Sequence, residues 1–489
     1  MDSVLIHIKN YDLYKGGQLL YNISDLIVKR GERVGIIGDN GSGKTSLLEL
    51  ISQNINAGNI KINSSFNYFK QFETSEIEHN SEYDYKFLSK VNVPSLERKF
   101  LSGGENQKLR LSQLISENSE TLILDEPFNY LDNKSITVII DELCKYNNTV
   151  IFVTHNRDIL NQLATKIWAI EDGKIFEYLG NYDDYLTQRK ILKLTEMNKV
   201  ENFEKQKKHL EKAIDNKRNE IKKISSIKES KKKNNINPGR LASSKDKKTG
   251  QKGIEKSIKN LEKRIENLGQ VQSMEEKKEI VFPQEKFYKL HTKIPIVSSN
   301  HFELFAGEKL LINKASFQFS NNEKIAIIGD NGVGKSTFLE NIFKQKKDIF
   351  VSSKAKISFL NQITNSNINR AEISAIEFIR KNSEYPESFI TEVLLSLGIS
   401  QNSLNIPLHF LSGGEYTKLL LAKTFLVPSN IIILDEPTNF LDINTIEALE
   451  KVISSYPGMV IASSHDSKFV DTIADSIYQI RDLSLVRIL

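Results

Sequence analysis

The chain has 489 residues, a formal net charge of +5, 39% hydrophobic residues and one cysteine. That length suggests about three domains, and the lone Cys144 excludes an internal disulfide or a cysteine-based metal site. No run of about 18 apolar residues is present, which argues against membrane insertion, and Met1-Asp2-Ser3-Val4-Leu5-Ile6-His7 has neither the basic flank nor the apolar stretch of a secretory leader, so a cytoplasmic protein is expected.

Residues 1–185 alternate strand and helix patterns. Val34-Gly35-Ile36-Ile37 reads as a short buried strand. It runs into Gly38-Asp39-Asn40-Gly41-Ser42-Gly43-Lys44-Thr45, which fits the P-loop spacing and opens a helix carrying Ser46, Leu47, Leu48 and Leu50. Glycines at Gly38, Gly41 and Gly43 let backbone N–H groups, Asn40 among them, close around phosphate oxygens, and a helix N-terminus favours an anion. Lys44 is placed to bridge the β- and γ-phosphates of ATP, and the Thr45 hydroxyl to bind Mg2+ with Asp125. Leu122-Ile123-Leu124 is a second apolar strand ending at Asp125-Glu126-Pro127, and Val150-Ile151-Phe152-Val153 a third ending near His155. Open α/β sheets put ligands at these carboxyl ends. Glu126 is then positioned to polarise an attacking water, and His155 to hydrogen-bond a γ-phosphate. Gln71 follows an aromatic strand and can contact metal and water; Tyr14 either stacks on adenine or packs in the core.

The middle of the chain differs in kind. Val200, Phe203, Leu210, Ile214, Ile221 and Ile224 fall on heptad positions, with Lys207 and Lys217 as polar exceptions, and Ile254, Ile258, Leu261, Ile265 and Leu268 continue the pattern. Between them the heptads fade before residue 229 and Pro238-Gly239 forces a turn. The expected form is an antiparallel helical hairpin, its first helix from about Tyr185 to Ile227, with a basic tip at about 229–250 that includes Lys231, Lys232, Lys233, Arg240, Leu241 and Lys245. From Tyr185 to Glu279 there are 27 Lys and Arg against 14 Asp and Glu, a net of +13, so the remainder carries −8. A basic segment between acidic lobes points to a polyanion; a solvated helix face is the alternative.

Residues 281–489 then repeat the first plan. Ile325-Ala326-Ile327-Ile328 leads into Gly329-Asp330-Asn331-Gly332-Val333-Gly334-Lys335-Ser336-Thr337, and Ile431-Ile432-Ile433-Leu434 into Asp435-Glu436-Pro437. Leu101-Ser102-Gly103-Gly104-Glu105 recurs as Leu411-Ser412-Gly413-Gly414-Glu415. Ser102 to Ser412, Asp125 to Asp435 and His155 to His465 are each 310 residues apart, while Lys44 to Lys335 and Gln71 to Gln362 are each 291 apart. One unit is therefore written twice, with 19 extra residues between Gln362 and Leu411 in the second copy. Lys335, Ser336, Asp435, Glu436, His465 and Gln362 inherit the roles of their counterparts, and Phe305 that of Tyr14.

P-loop, Gln loop, Leu-Ser-Gly-Gly-Glu signature, Asp-Glu pair, Leu-Asp turn (Leu131-Asp132, Leu441-Asp442) and switch His together resemble the ATP-binding-cassette superfamily. Two cassettes without a membrane span and with an intervening hairpin resemble its ABC-F branch. The resemblance implies an α/β fold of two P-loop ATPase domains, 1–185 and 281–489, joined by a basic coiled-coil linker, 186–280. It further implies a monomer whose cassettes close head to tail, so that Lys44, Asp125 and Glu126 share one ATP with Ser412, Gly413 and Gly414, and Lys335, Asp435 and Glu436 share the other with Ser102, Gly103 and Gly104. The first copy departs from the family's pattern at Phe128, Tyr130, Thr154 and Asn156; the second is closer.

Only 29 residues separate Gln71 from Leu101, which leaves no room for the arm subdomain of some relatives. The stretch Pro238-Gly239-Arg240-Leu241-Ala242-Ser243-Ser244-Lys245-Asp246-Lys247 resembles the Vga, Lsa and Msr antibiotic-resistance group. That resemblance implies binding to the ribosome, to 23S rRNA and tRNA near the exit site, with the linker tip reaching toward the peptidyl-transferase centre to displace a lincosamide, streptogramin A, pleuromutilin or macrolide. A translation factor acting on stalled ribosomes without a drug role is the alternative, and the ATPase component of a drug exporter a further one.

Overall fold

The computed structural model describes residues 4–53, 55–70, 85–91, 103–129, 131, 133–171, 173–233, 244–268, 280, 282, 295–361, 372–439 and 441–489. The chain divides into two compact units, one of Met1–Tyr185 with Lys278–Leu489 and one of Leu186–Lys277.

The first copy opens with the antiparallel hairpin β1 (Val4–Lys15) and β2 (Gln18–Lys29), then β3 (Arg33–Gly38) and α1 (Lys44–Ile51). Short strands β4 (Asn56–Ala57), β5 (Ile60–Ile62) and β6 (Phe66–Phe69) precede helices α2 (Tyr85–Lys90) and α3 (Gly103–Ser116). Next come β7 (Thr121–Asp125), α4 (Asn133–Lys145), β8 (Thr149–Val153), α5 (Arg157–Leu163), β9 (Lys166–Glu171) and β10 (Lys174–Leu179). The strands form one sheet in the order β4-β5-β1-β2-β10-β9-β3-β8-β7-β6. Its β9-β3-β8-β7-β6 portion is parallel throughout. β7 and β8 are buried at every position, the mark of parallel strands covered on both faces. Ile36 lies opposite Val153 and Val153 opposite Asp125, so the carboxyl ends of β3, β8 and β7 stand side by side.

The next two helices are α6 (Tyr182–Lys233) and α7 (Ser244–Leu268). Within the Leu186–Lys277 unit, Ile214 is buried and Val200, Phe203, Leu210, Ile221, Ile254, Ile258, Leu261 and Ile265 are half-buried, which is the apolar seam of a helix pair. Arg218 Nη2 donates to Glu262 Oε1 at 3.1 Å, pairing positions at similar distances from the break between the helices, as an antiparallel hairpin requires. The first helix runs further than the heptads suggest: Lys231, Lys232 and Lys233 form its last turn and Lys245 sits in the first turn of α7, so these tip residues are helical rather than in a loop. Lysine is a good helix former, and backbone propensity carries the helix past the end of its apolar seam. Arg240 and Leu241 lie outside the described residues.

The second copy repeats the plan with β11 (Val297–Ala306), β12 (Lys309–Phe319), β13 (Lys324–Ile328), α8 (Lys335–Phe343), β14 (Phe350–Val351) and β15 (Ile357–Leu360). Helices α9 (Ala375–Arg380) and α10 (Glu387–Ser396) follow, where the extra residues lie, and bury Ile379, Ile390, Val393 and Leu394 in the local core. Then come α11 (Gly413–Leu426), β16 (Ile431–Asp435), α12 (Ile443–Ser455), β17 (Met459–Ser463), α13 (Ser467–Ile473), β18 (Ser476–Arg481) and β19 (Ser484–Arg487). The sheet order β15-β16-β17-β13-β18-β19 matches β6-β7-β8-β3-β9-β10 strand for strand, and β12-β11-β14 forms a separate sheet. Phe302, Phe317 and Phe338 meet edge to face in its core, with ring centroids 5.3 to 5.9 Å apart.

Candidate functional site

Each P-loop closes between a buried strand and a helix start. Gly43 and Gly334 cap α1 and α8 with left-handed φ values of 93° and 109°, and a Cβ on either would collide with Leu20 or Leu311 at 2.8 Å. Neither helix has a side-chain cap, so the amides at Lys44, Thr45 and Ser46, and at Lys335, Ser336 and Thr337, are left to an anion. Lys44 Nζ donates to Gly38 O at 2.8 Å and Asp39 O at 2.9 Å; Lys335 Nζ donates to Gly329 O at 2.9 Å and Asp330 O at 3.4 Å. Burial pushes both ammonium groups below their ordinary range, against the pull of Glu126 and Glu436. Asn40, Gly41, Asn331 and Gly332 are exposed in the two loops, Gly41 and Gly332 with left-handed φ values of 79° and 72°.

Asp125 and Asp435 end β7 and β16, both buried. Thr45 Oγ1 donates to Asp125 Oδ2 at 2.8 Å. In the second copy Ser463 Oγ donates to Asp435 Oδ1 at 2.7 Å, and Asp435 Oδ2 is buried without a hydrogen bond among the described residues. The next residues, Glu126 and Glu436, take left-handed φ values of 50° and 48°, rare for a residue with a Cβ. Glu126 Oε1 and both oxygens of Glu436 are buried without a well-aligned hydrogen bond among the described residues. Burial pushes Glu126 up to about 8 and Glu436 to about 7, with Lys44 and Lys335 opposing. His155 Nε2 lies 3.3 Å from Glu126 Oε1 and His465 Nε2 3.4 Å from Glu436 Oε1. His465 Nε2 also lies 2.8 Å from Lys335 Nζ. Burial pulls His155 down to about 3, so it is neutral at pH 7.

Tyr14 and Phe305 occupy the same hairpin position in the two copies, opposite Leu19 and Leu310, and are 57% and 49% exposed. Core packing is therefore not what holds either aromatic. Ser412 caps α11 in a capping box with Glu415, so its hydroxyl is partly committed to the helix. Gly103 and Gly104 open α3. Gln71, Gln362 and Ser102 lie outside the described residues.

The first P-loop faces the second copy. Asn40 N–H donates to Asp442 Oδ2 at 3.3 Å, Asn444 Nδ2 donates to Asp39 Oδ1 at 2.8 Å, and a Cβ on Gly414 would meet Asn40 Nδ2 at 3.3 Å. Lys418, on α11 behind Gly414, holds the same Asp442 at 2.9 Å. The reciprocal contact joins Lys134 Nζ to Asp330 Oδ2 at 2.6 Å. Lys134 and Asn444 are related by the 310 offset, and Asp39 and Asp330 by the 291 offset. Asn444, Lys134 and Lys418 were not singled out from sequence, and Asp442 only as part of the Leu-Asp turn; the offsets relate one contact to the other but do not tell which residues meet. Among the described residues no cluster of three His, Cys, Asp or Glu side chains is arranged to hold a metal by itself.

Paired P-loops with buried Asp-Glu ends, the first facing the signature helix of the second copy and the second reached by Lys134 of the first, define a tandem ATP-binding-cassette ATPase. A family model described as ABC transporter matches residues 21–129 and 312–439, and a second of the same description matches 168–236. The chain is 36% identical over 467 residues to the erythromycin resistance ATP-binding protein MsrA of Staphylococcus epidermidis, covering 95% of each. It is 31% identical over 471 residues to the ribosome protection protein VmlR of Bacillus subtilis, covering 94% of this chain and 83% of that one. The chain belongs to the ABC-F family, in the group of these two relatives. A solved structure titled RNase-L Inhibitor shares the fold with a TM-score of 0.60 at 17% identity, covering 97% of this chain and 87% of that one. No helix among the described residues is long and apolar enough to cross a membrane.

Proposed function

We propose that this ATPase binds the ribosome and protects it from drugs of the peptidyl-transferase region, with two composite ATP sites and the helical hairpin as effector. The observation that carries the reading is identity of 36% across 95% of both chains to a protein named for erythromycin resistance, beside a second relative named for ribosome protection. The net of +13 between Tyr185 and Glu279 fits a hairpin that meets RNA.

In each site the P-loop amides and Lys44 or Lys335 hold the phosphates of ATP, and Tyr14 or Phe305 stacks on the base. Gly414 and Ser412 complete the first site, and Gly104 and Ser102 the second. Mg2+ fits the residues present. Hard oxygen donors stand together at Thr45 and Asp125, and in the second copy Asp435 Oδ2 is buried without a hydrogen bond among the described residues. Gln71 and Gln362 would be additional ligands. When bound, the ion neutralises phosphate charge. Glu126 and Glu436 orient the attacking water and accept its proton, a task suited to carboxylates raised toward neutral pH by burial. Neutral His155 donates or accepts one hydrogen bond at the terminal phosphate, and His465 stands in the same place in the second site. ATP favours the closed pair of cassettes, and hydrolysis releases it.

The hairpin is testable apart from the ATPase. Residues 229–250, with Lys231, Lys232, Lys233, Arg240, Leu241 and Lys245, should act on RNA near the exit-site tRNA and the drug site. Replacing them by a short turn should leave ATP hydrolysis and ribosome co-sedimentation intact and abolish resistance, read as minimum inhibitory concentrations of a lincosamide, a pleuromutilin and a streptogramin A. Full resistance in that variant would overturn the effector role. Co-sedimentation with no change in drug susceptibility on deleting the whole protein would favour a translation factor without a drug role.

A further inference from the structure

Arg157 follows His155 by two residues in the first copy, yet its partners lie in the second. Its Nη2 donates to Glu450 Oε1 at 2.6 Å and to Asp466 Oδ2 at 3.3 Å, and its side chain is 3% exposed. Glu450 stands on α12, and Asp466 caps α13 by accepting the Phe469 N–H at 2.9 Å. The N–H of Asp466 is itself held by Ser464 Oγ at 3.1 Å. The carboxylate next to His465 is thus gripped by its own helix on one side and by the other cassette on the other. His465 in turn meets Lys335 at 2.8 Å and Glu436 at 3.4 Å.

The contact has no mirror image. By the 310 offset, the counterparts of Arg157, Glu450 and Asp466 are Ser467, Ile140 and Asn156. Ser467 Oγ donates to Asp158 Oδ2 at 2.7 Å instead. Asn156 caps α5 by accepting from Asp158 N–H at 2.9 Å and Ile159 N–H at 3.2 Å. Both loops are therefore tied across the interface, that of His155 through Arg157 and Asp158, but only in the second copy does the tie reach the residue next to the histidine: Asp466 is held by Arg157, whereas Asn156 bonds within its own cassette. A cation buried against two carboxylates is costly to leave unpaired, so the tie resists sliding of one cassette on the other.

We propose that Arg157 is a positioning residue for the second ATP site, holding the His465 loop through Asp466 so that hydrolysis at Glu436 depends on the first cassette. This rests on the reading of Glu126 and Glu436 as the carboxylates of two sites. The test is single-turnover ADP formation by the full chain. Glu126→Gln and Glu436→Gln should each form one ADP per chain. Two ADP from either would sink the assignment of that glutamate before Arg157 is touched, and none from either would show the sites to be inseparable and overturn the proposal. Adding Arg157→Met should slow the Glu126→Gln protein about tenfold at unchanged ATP affinity, and the Glu436→Gln protein less than about twofold. Arg157→Lys should recover part of the loss. Asp466→Asn keeps the helix cap, as Asn156 does in the first copy, while removing the charge; it should give the same site-selective slowing, and it decides alone if Arg157→Met does not fold. Equal slowing in both backgrounds, or none in Glu126→Gln, would overturn the proposal.

Discussion

In the first cassette Asp125 is held by the P-loop hydroxyl of Thr45, whereas in the second Asp435 is held by Ser463 at the end of the neighbouring strand. Val153 stands where Ser463 does and has no hydroxyl to offer. The interface contacts are likewise unequal, a lysine reaching one P-loop aspartate and an asparagine the other. Duplication preserved the groups proposed to meet phosphate and water and let the groups that support them diverge. The copies are therefore one reaction centre on two scaffolds, and substitutions at matched positions can show how much each scaffold matters.

The largest effect should come where the copies agree. Glu126→Gln with Glu436→Gln should lower steady-state ATP hydrolysis by about a thousandfold while ATP remains bound; rapid turnover by the double variant would break the equivalence of both sites.

The same variant should change the stability of the nucleotide-free protein. An ordinary glutamate loses its proton at 4.5, and burial raises these two to about 8 and about 7. Between those values the unfolded chain has lost protons that the folded chain still holds, so stability falls as pH rises from 4.5 to 8. The contribution is fully present below 4.5. The glutamines cannot ionise, so the double variant should melt higher than the parent at pH 8 and show a flatter pH profile, the first copy contributing more than the second. Parallel melting curves across that range would mean that the carboxylates are not buried as described.

A smaller effect belongs to the exposed aromatics. Tyr14→Ala and Phe305→Ala should each weaken ATP binding at one site by about tenfold, the scale of losing one base–aromatic stack. Biphasic titration in each single variant would sharpen the comparison, and unchanged affinity would leave both as surface residues.

The least effect is expected at the unequal interface contacts. Lys134 and Asp330 are 75% and 56% exposed, so Lys134→Ala should cost about 0.5 kcal/mol or less and fade at high salt. Asn444→Ala should cost a similar amount with little salt dependence. Salt dependence of the same size in both would break the distinction.

Much of this was legible in the sequence because it is local. Apolar runs ending at Gly38, Asp125 and Val153 announce buried parallel strands, and the 291 and 310 offsets transfer every assignment to the second copy. What stayed hidden depends on closure. Asn40 meets Asp442, and Asp39 meets Asn444, across roughly four hundred residues of chain, and no periodicity encodes such a contact. Exposure was equally out of reach: an aromatic on a strand reads the same whether it packs, as Phe302 does, or stands in solvent, as Phe305 does. The end of α6 was missed for the opposite reason, since the heptads track the seam and not the lysines that prolong the helix.

The left-handed backbone at Glu126 and Glu436 has a consequence for how the protein can change. A residue with a Cβ held there costs on the order of 1 kcal/mol or more, and glycine would carry no such cost. The carboxylate proposed to serve hydrolysis sits on a conformation that disfavours it, in an environment that disfavours its charge. Selection for thermal robustness alone would erode both sites, and the sturdiest descendants of this chain would hold ATP without consuming it.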